Sequence, residues 1–266
     1  MSSARASQRA FFSTSALLFA ASTALTVAWC VSMSANGSPR EMMAMPGGWT
    51  MSMAWMRMPG QTWAGAAASF LAMWIVMMAA MMMPSLVPML WRHRQAVDRA
   101  GKSAMAHLTV LVGLGYFFVW ALLGLAVFPL GATLATVEMH QPALARAVPI
   151  AGAFAVLIAG ALQFTEWKAR HLTCCREAPG PDCVLPAHPI AAWRQGLQFG
   201  LHCCLSCANL TAILLVLGVM NLRAMAAVTI AITAERVAPA GEPVVRATGF
   251  IVVGAGLLLI ARATGL

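Results

Sequence analysis

The chain has little charge, and most of that charge is basic. Only 9% of its 266 residues are charged, with 8 Asp and Glu against 17 Lys and Arg, while 61% are hydrophobic. Soluble domains carry about 25% charged residues, so this composition argues against a soluble globular protein. The sequence also lacks paired carboxylates, a nucleophile beside a base and a phosphate-binding glycine loop. It therefore gives little indication of an enzyme.

Long stretches without charge mark candidate membrane spans. A spanning helix needs about 20 apolar residues. Five uncharged stretches are about that long or longer: 10–39, 58–91, 103–137, 147–165 and 195–222. Two shorter stretches, 224–234 and 247–261, span only if flanking charges snorkel or the helices tilt. We predict an all-α fold, a polytopic transmembrane bundle of six or seven helices.

The basic residues are distributed as expected for a membrane protein. If the N-terminus is cytoplasmic, twelve of the 17 Lys and Arg fall in the segments expected inside, which are 1–10, 92–104, 166–195 and 235–246. This bias follows the positive-inside rule and predicts a multi-pass protein of the bacterial inner membrane. The net charge of +9 then reflects topology, and we expect the lipid bilayer, not nucleic acid, as a partner.

We interpret the first apolar run as a retained helix. A secretory signal is the alternative, but Trp29 stands where a lipoprotein-type cleavage site before Cys30 needs a small residue. We expect residues 1–64 to form an N-terminal helix and an external Met-rich loop, and residues 65–266 to form the transmembrane bundle with the cysteines. All of these form one integral domain.

Six of the seven cysteines lie between positions 174 and 207. On a helix, Cys203 and Cys207 are four residues apart and share a face, as do Cys204 and Cys207. On the cytoplasmic side thiols stay reduced, which favours metal ligation or thiol chemistry over disulfides. Our candidate ligands are His171, Cys174, Cys175, Cys203, Cys204 and Cys207, with His202 and Cys183 as weaker ones. The favoured set is His171, Cys175, Cys203 and Cys207.

Methionine is the second soft donor. Seven methionines lie between Met42 and Met58, and thioethers bind Cu(I) without deprotonation. We consider a copper-collecting loop, with Met51, Met53, Met56 and Met58 as weaker ligands. The alternative is an apolar hairpin anchored by tryptophans 49, 55 and 63.

The second helix carries two methionine stripes. Met73, Met77 and Met81 repeat every four residues, and so do Trp74, Met78 and Met82. A relay for a soft ion, with Met77 and Met81 as weaker ligands, is one interpretation. Adaptable packing is the other.

Several motifs resemble one bacterial family, described as predicted metal-binding integral membrane proteins (domain of unknown function 2182). The resemblance covers about residues 65–262. Its motifs are the segment 74–84, Gln163-Phe164-Thr165 with Lys168, Cys175-Arg176, and the cysteines before segment 218–222. It implies metal binding without a defined reaction. The chain departs from the family where Ser206 replaces a cysteine, where Cys204 is additional, and where His171 stands for a loop cysteine.

We predict binding of a soft metal ion, Cu(I) rather than Zn(II), at the cytoplasmic face, in metal transport or handling. A protein partner or metallochaperone is left open. The alternatives are a membrane thiol oxidoreductase and a scaffold subunit of a membrane complex. Of the remaining polar residues, Glu166 near Lys168 and Glu235 beside Arg236 are expected to form pairs at helix ends.

Overall fold

The protein is described by a computed structural model over residues 2–35, 42–45, 49–57, 60–97, 102–177, 188–238 and 241–264. Met58 and Cys183, two of the weaker candidate ligands, lie outside these residues. The side chains of Met51 and Met53 are likewise not described, although their backbone is.

The described part of the chain is all-α apart from one small hairpin. Its eight helices are α1 (Ser2–Ala35), α2 (Trp63–Val97), α3 (Lys102–His140), α4 (Pro142–Leu162), α5 (Glu166–Glu177), α6 (Pro189–Leu217), α7 (Leu222–Val237) and α8 (Gly241–Thr264). The prediction of a helical bundle is therefore confirmed.

Six of these helices are long and apolar enough to cross a membrane: α1, α2, α3, α4, α6 and α8. Large apolar side chains such as Leu130, Ile158 and Ile251 are exposed on them, at 69%, 61% and 72%. Exposed apolar faces of this kind suit contact with lipid. The fold is thus consistent with a multi-pass membrane protein.

The remaining two helices are shorter. The segment 166–195, expected from the sequence to lie on the inside between two spans, begins as the 12-residue helix α5, which packs along α6 and contacts α7. Helix α7 has 16 residues, fewer than the roughly 20 that a span requires.

Local sequence sets the boundaries of the helices around α6. Pro189 lies in the first turn of α6, where its missing N–H costs no hydrogen bond. The helix ends at Gly218, whose φ of +103° is a conformation that glycine adopts without strain. Asn221 then caps α7, because its side-chain oxygen accepts hydrogen bonds from the backbone N–H groups of Arg223 and Ala224, both at 3.1 Å.

Glycines bring α3 and α6 close together. A Cβ atom at Gly200 would lie 2.8 Å from the backbone oxygen of Tyr116, and one at Gly115 would lie 2.8 Å from that of Trp193. Small residues permit such close contact between membrane helices. The contact places Tyr116 of α3 against the cysteine-bearing turn of α6.

The Met-rich segment folds onto the bundle. Strands β1 (Met42–Ala44) and β2 (Thr50–Ser52) pair antiparallel, and a 3-10 turn, Met53–Trp55, follows. Trp49 donates a hydrogen bond from Nε1 to the backbone oxygen of Ala145 at 2.8 Å. Trp55 lies against Phe70, with the ring centroids 5.1 Å apart. This anchoring is the arrangement expected of the hairpin interpretation, whereas copper collection remains a prediction.

Candidate metal centre

Two of the predicted ligands face each other inside the bundle. Cys203 and Cys207 are 0% and 2% exposed, and their Sγ atoms are 4.0 Å apart. They lie near the middle of α6, since Cys203 is fourteen residues after Pro189, or roughly 21 Å at 1.5 Å per residue. The pair is therefore buried near the middle of α6, and its placement at the cytoplasmic face remains a prediction.

Helix α2 contributes a third sulfur atom. The Sγ atom of Cys203 lies 3.9 Å from the Sδ atom of Met82, which is fully buried. We call Cys203, Cys207 and Met82 the sulfur triad. Met82 belongs to the second methionine stripe and is not among the candidate ligands. Met77 and Met81, two of the weaker candidates, are buried in the same hydrophobic core.

Hydroxyl groups border the sulfur triad. The Tyr116 hydroxyl lies 2.9 Å from Cys203 Sγ, and the Ser206 hydroxyl lies 3.6 Å from Cys207 Sγ. A thiolate accepts hydrogen bonds but has none to donate, so the Tyr116 hydroxyl can donate to the deprotonated form of Cys203. The Ser206 hydroxyl donates to the backbone oxygen of Cys203 at 3.0 Å. The surroundings are thus suited to holding thiolates in an apolar interior.

Cys175 of α5 lies beyond Ser206. Its Sγ atom is 3.8 Å from the Ser206 hydroxyl oxygen, which separates it from Cys207. Burial raises the pKa of the Cys175 thiol, which favours its neutral form. Cys175 therefore borders the triad but does not contact either of its thiols directly.

The two candidate histidines form a separate group. His171 of α5 and His202 of α6 are half-buried, and their Nδ1 atoms are 3.4 Å apart. Cys174 is exposed and Cys204 is half-buried. In the part of the chain that the structure describes, no three His, Cys, Asp or Glu side chains come together as a metal-binding group. The favoured set of His171, Cys175, Cys203 and Cys207 is thus not assembled as one site.

A buried ion pair lies next to the triad. The Nζ atom of Lys168 is 2.8 Å from Oε2 of Glu235, and both side chains are 1% exposed. Gln163 donates a hydrogen bond from Nε2 to the other carboxylate oxygen of Glu235 at 2.8 Å. Lys168 also donates to the backbone oxygen of Ser206 at 2.5 Å. The pairs expected from sequence proximity are wrong, because Glu166 lies 3.8 Å from exposed Arg170 and Glu235 pairs with another helix.

Arg236 completes the polar surroundings. Its Nη1 atom donates to the Ser85 hydroxyl at 3.0 Å, and Ser85 is one helical turn from Met82. Its Nε and Nη2 atoms are buried, with no hydrogen-bond partner within the described residues. The guanidinium is close enough to interact electrostatically with Cys203, Cys175 and Cys207.

A family model described as PpoB2, copper chaperone, matches residues 71–259, well over half of the chain. The chain belongs to the PpoB2 copper chaperone family. No curated protein and no solved structure matches the chain. The matched segment includes the sulfur triad, the neighbouring histidines His171 and His202, and Arg236. Membership in PpoB2 supports the metal-related part of the resemblance noted in the sequence, and the metal it points to is copper.

The sequence alone gives no site role to three residues that the structure places at the candidate site. The sequence places Met82 in a stripe, and it does not indicate that Tyr116 and Arg236 neighbour the thiols. For Met82 the sequence does carry a signal, because its spacing places it on one helix face with Met78 and Trp74. All three side chains are fully buried in the structure. For Tyr116 and Arg236 the signal is tertiary, because each lies on another helix.

Proposed function

We propose that the protein is a membrane copper chaperone that carries Cu(I) on the sulfur triad. The observation that supports this most directly is the pair of separations at Cys203, whose Sγ atom is 4.0 Å from Cys207 Sγ and 3.9 Å from Met82 Sδ. Metal–sulfur bonds of about 2.3 Å put two sulfur ligands roughly 4 Å apart when they share one metal ion. The triad is thus preorganised for a soft cation.

The types of donor favour Cu(I) over Zn(II). Thiolates and thioethers are soft ligands suited to Cu(I), whereas structural zinc sites use four ligands drawn from cysteine, histidine and carboxylates. The described surroundings of the triad supply two thiols and one thioether, and the histidines pair with each other instead.

The cargo is held inside a protein of the bacterial inner membrane with a cytoplasmic N-terminus. The six helices suited to spanning and the bias of Lys and Arg support this placement. A site near mid-helix shields a reactive ion from water and oxidants. Handing the ion to a protein partner then requires a route from the triad to the surface. Half-buried His202, which directly precedes Cys203 on α6 and lies against His171 of α5, is a candidate for that route.

A thiol oxidoreductase is the second candidate, and the 4.0 Å separation of Cys203 and Cys207 is the observation in its favour. Redox partners, however, attack an accessible sulfur. Both thiols are nearly inaccessible, at 0% and 2% exposure. We therefore favour metal carriage.

The proposal is tested by loading the protein with Cu(I). The chain is purified without oxygen in detergent, supplied with Cu(I) and desalted, and its copper is counted by mass spectrometry. We expect about one tightly held copper per chain, and X-ray absorption at the copper edge showing sulfur neighbours only. Absence of retained copper overturns the proposal, and nitrogen-dominated scattering moves the site to His171 and His202.

Replacing Met82 with leucine tests the third ligand. The swap nearly conserves volume and costs little stability, but it removes the thioether. We expect Cu(I) affinity to fall about tenfold, which corresponds to about 1.4 kcal/mol, in a competition titration against a chromophoric chelator. Met78→Leu is the matched control, because Met78 is equally buried one turn away. Equal affinities in the two variants would remove Met82 from the ligand set.

A further inference from the structure

Arg236 is half-buried, and its guanidinium has no carboxylate partner within the described residues. Its Nη1 atom is satisfied by Ser85, but Nε and Nη2 have no hydrogen-bond partner among the described residues. The adjacent carboxylate of Glu235 is already occupied, because it accepts from Lys168 and Gln163, each at 2.8 Å. An unpaired buried charge is costly, so the guanidinium needs a negative partner.

We infer that the negative partner of Arg236 is supplied by the thiolates of the sulfur triad. Arg236 extends from α7 toward Ser85, whose hydroxyl donates to the backbone oxygen of Met82 at 3.0 Å. Cys203, Cys175 and Cys207 lie within its electrostatic reach. Binding a metal ion requires both thiols of the triad to lose their protons, and the resulting thiolates place negative charge next to the guanidinium.

The charges in this interior can be counted. Lys168 and Glu235 cancel each other, and Arg236 contributes one positive charge. Two thiolates contribute two negative charges, and Cys175 is counted as the neutral thiol that burial favours. The site with Arg236 therefore carries one net negative charge before the charge of the metal ion is added. A monovalent cation makes the total zero, whereas a divalent cation leaves an uncompensated positive charge in a low-dielectric interior.

We propose that Arg236 is a specificity-determining residue that tunes the sulfur triad to monovalent soft cations and against divalent ones. This inference rests on the proposed function and adds the origin of its selectivity. Arg236 does not touch the metal; it acts through the net charge of the buried site.

The test compares Ag(I), a monovalent soft ion stable in air, with Zn(II). Affinities of both are measured by competition titration on the purified chain, and the ratio of the two is the readout. In Arg236→Gln the thiolates lose their counter-charge, and the Zn(II) complex becomes the neutral one. We expect the preference for Ag(I) over Zn(II) to fall at least about tenfold. Arg236→Lys, which keeps the charge, should retain most of the preference.

A second pair of variants tests the same idea without replacing Arg236. In Ser85→Asp a carboxylate would stand where Arg236 now binds a hydroxyl, and it would neutralise the guanidinium. Ser85→Asn has nearly the same shape without the charge. We expect Ser85→Asp to lower the Ag(I) preference as Arg236→Gln does, and Ser85→Asn to leave it near the native value. This pair decides the question if Arg236→Gln does not fold.

The control for general effects of charge is Arg246→Gln, because Arg246 is exposed and pairs with Glu242 at 2.7 Å. An Ag(I) to Zn(II) ratio that is unchanged in both Arg236→Gln and Ser85→Asp overturns the inference while the triad remains a copper site. Failure of the native chain to bind Ag(I) or Cu(I) overturns the proposed function itself. The two failures are thus distinguishable.

Discussion

Replacing Cys203 and Cys207 together with serine is expected to remove stoichiometric copper from the protein. Serine keeps the size of the side chain but offers a hard, protonated oxygen in place of a soft thiolate. Two of the three ligands are then lost, and we expect Cu(I) affinity to fall by at least about 1,000-fold, or roughly 4 kcal/mol. Mass spectrometry of the anaerobically purified protein gives the copper content, and a chelator titration gives the affinity.

The matched control is Cys174→Ser with Cys204→Ser. It removes the same number of thiols, one from α5 and one from α6, but Cys174 is exposed and Cys204 is only half-buried. We expect this variant to retain its copper. The opposite pattern, with copper lost here and kept in Cys203→Ser, Cys207→Ser, would place the site on the outer side of α6 with His171 and His202. If the native protein contains zinc, and only the Cys203→Ser, Cys207→Ser variant loses it, the triad binds zinc instead of copper.

The fold was predictable where charge and hydropathy alone determine it. The stretches without charged residues correspond to α1, α2, α3, α4 and α6, and the shorter stretch 247–261 lies within α8. Helix α5 was missed because its twelve residues are polar and lead into a segment rich in proline. It is stabilised by packing along α6, which a local pattern does not reveal.

The candidate site was predictable only within one helix. The spacing of Cys203 and Cys207 predicted a shared face, and their Sγ atoms are 4.0 Å apart. Contacts between helices were not accessible in this way. Tyr116 contacts Cys203 because glycines allow α3 to approach α6 closely. Glu235 forms its ion pair with Lys168 of another helix, not with Arg236, its neighbour in the sequence.

The second large effect is expected from Lys168→Met, which leaves Glu235 as an unpaired buried carboxylate. Breaking a buried ion pair from one side costs about 3–5 kcal/mol, so we expect the melting temperature in detergent, followed by circular dichroism, to fall by about 10 °C. Adding Glu235→Gln removes the orphaned charge while an amide can still bond Gln163, and should restore most of the loss. Glu242→Gln is the control, since that pair is 65% and 76% exposed and surface pairs contribute little. If Lys168→Met and Glu242→Gln melt at the same temperature, the buried pair does not stabilise the bundle.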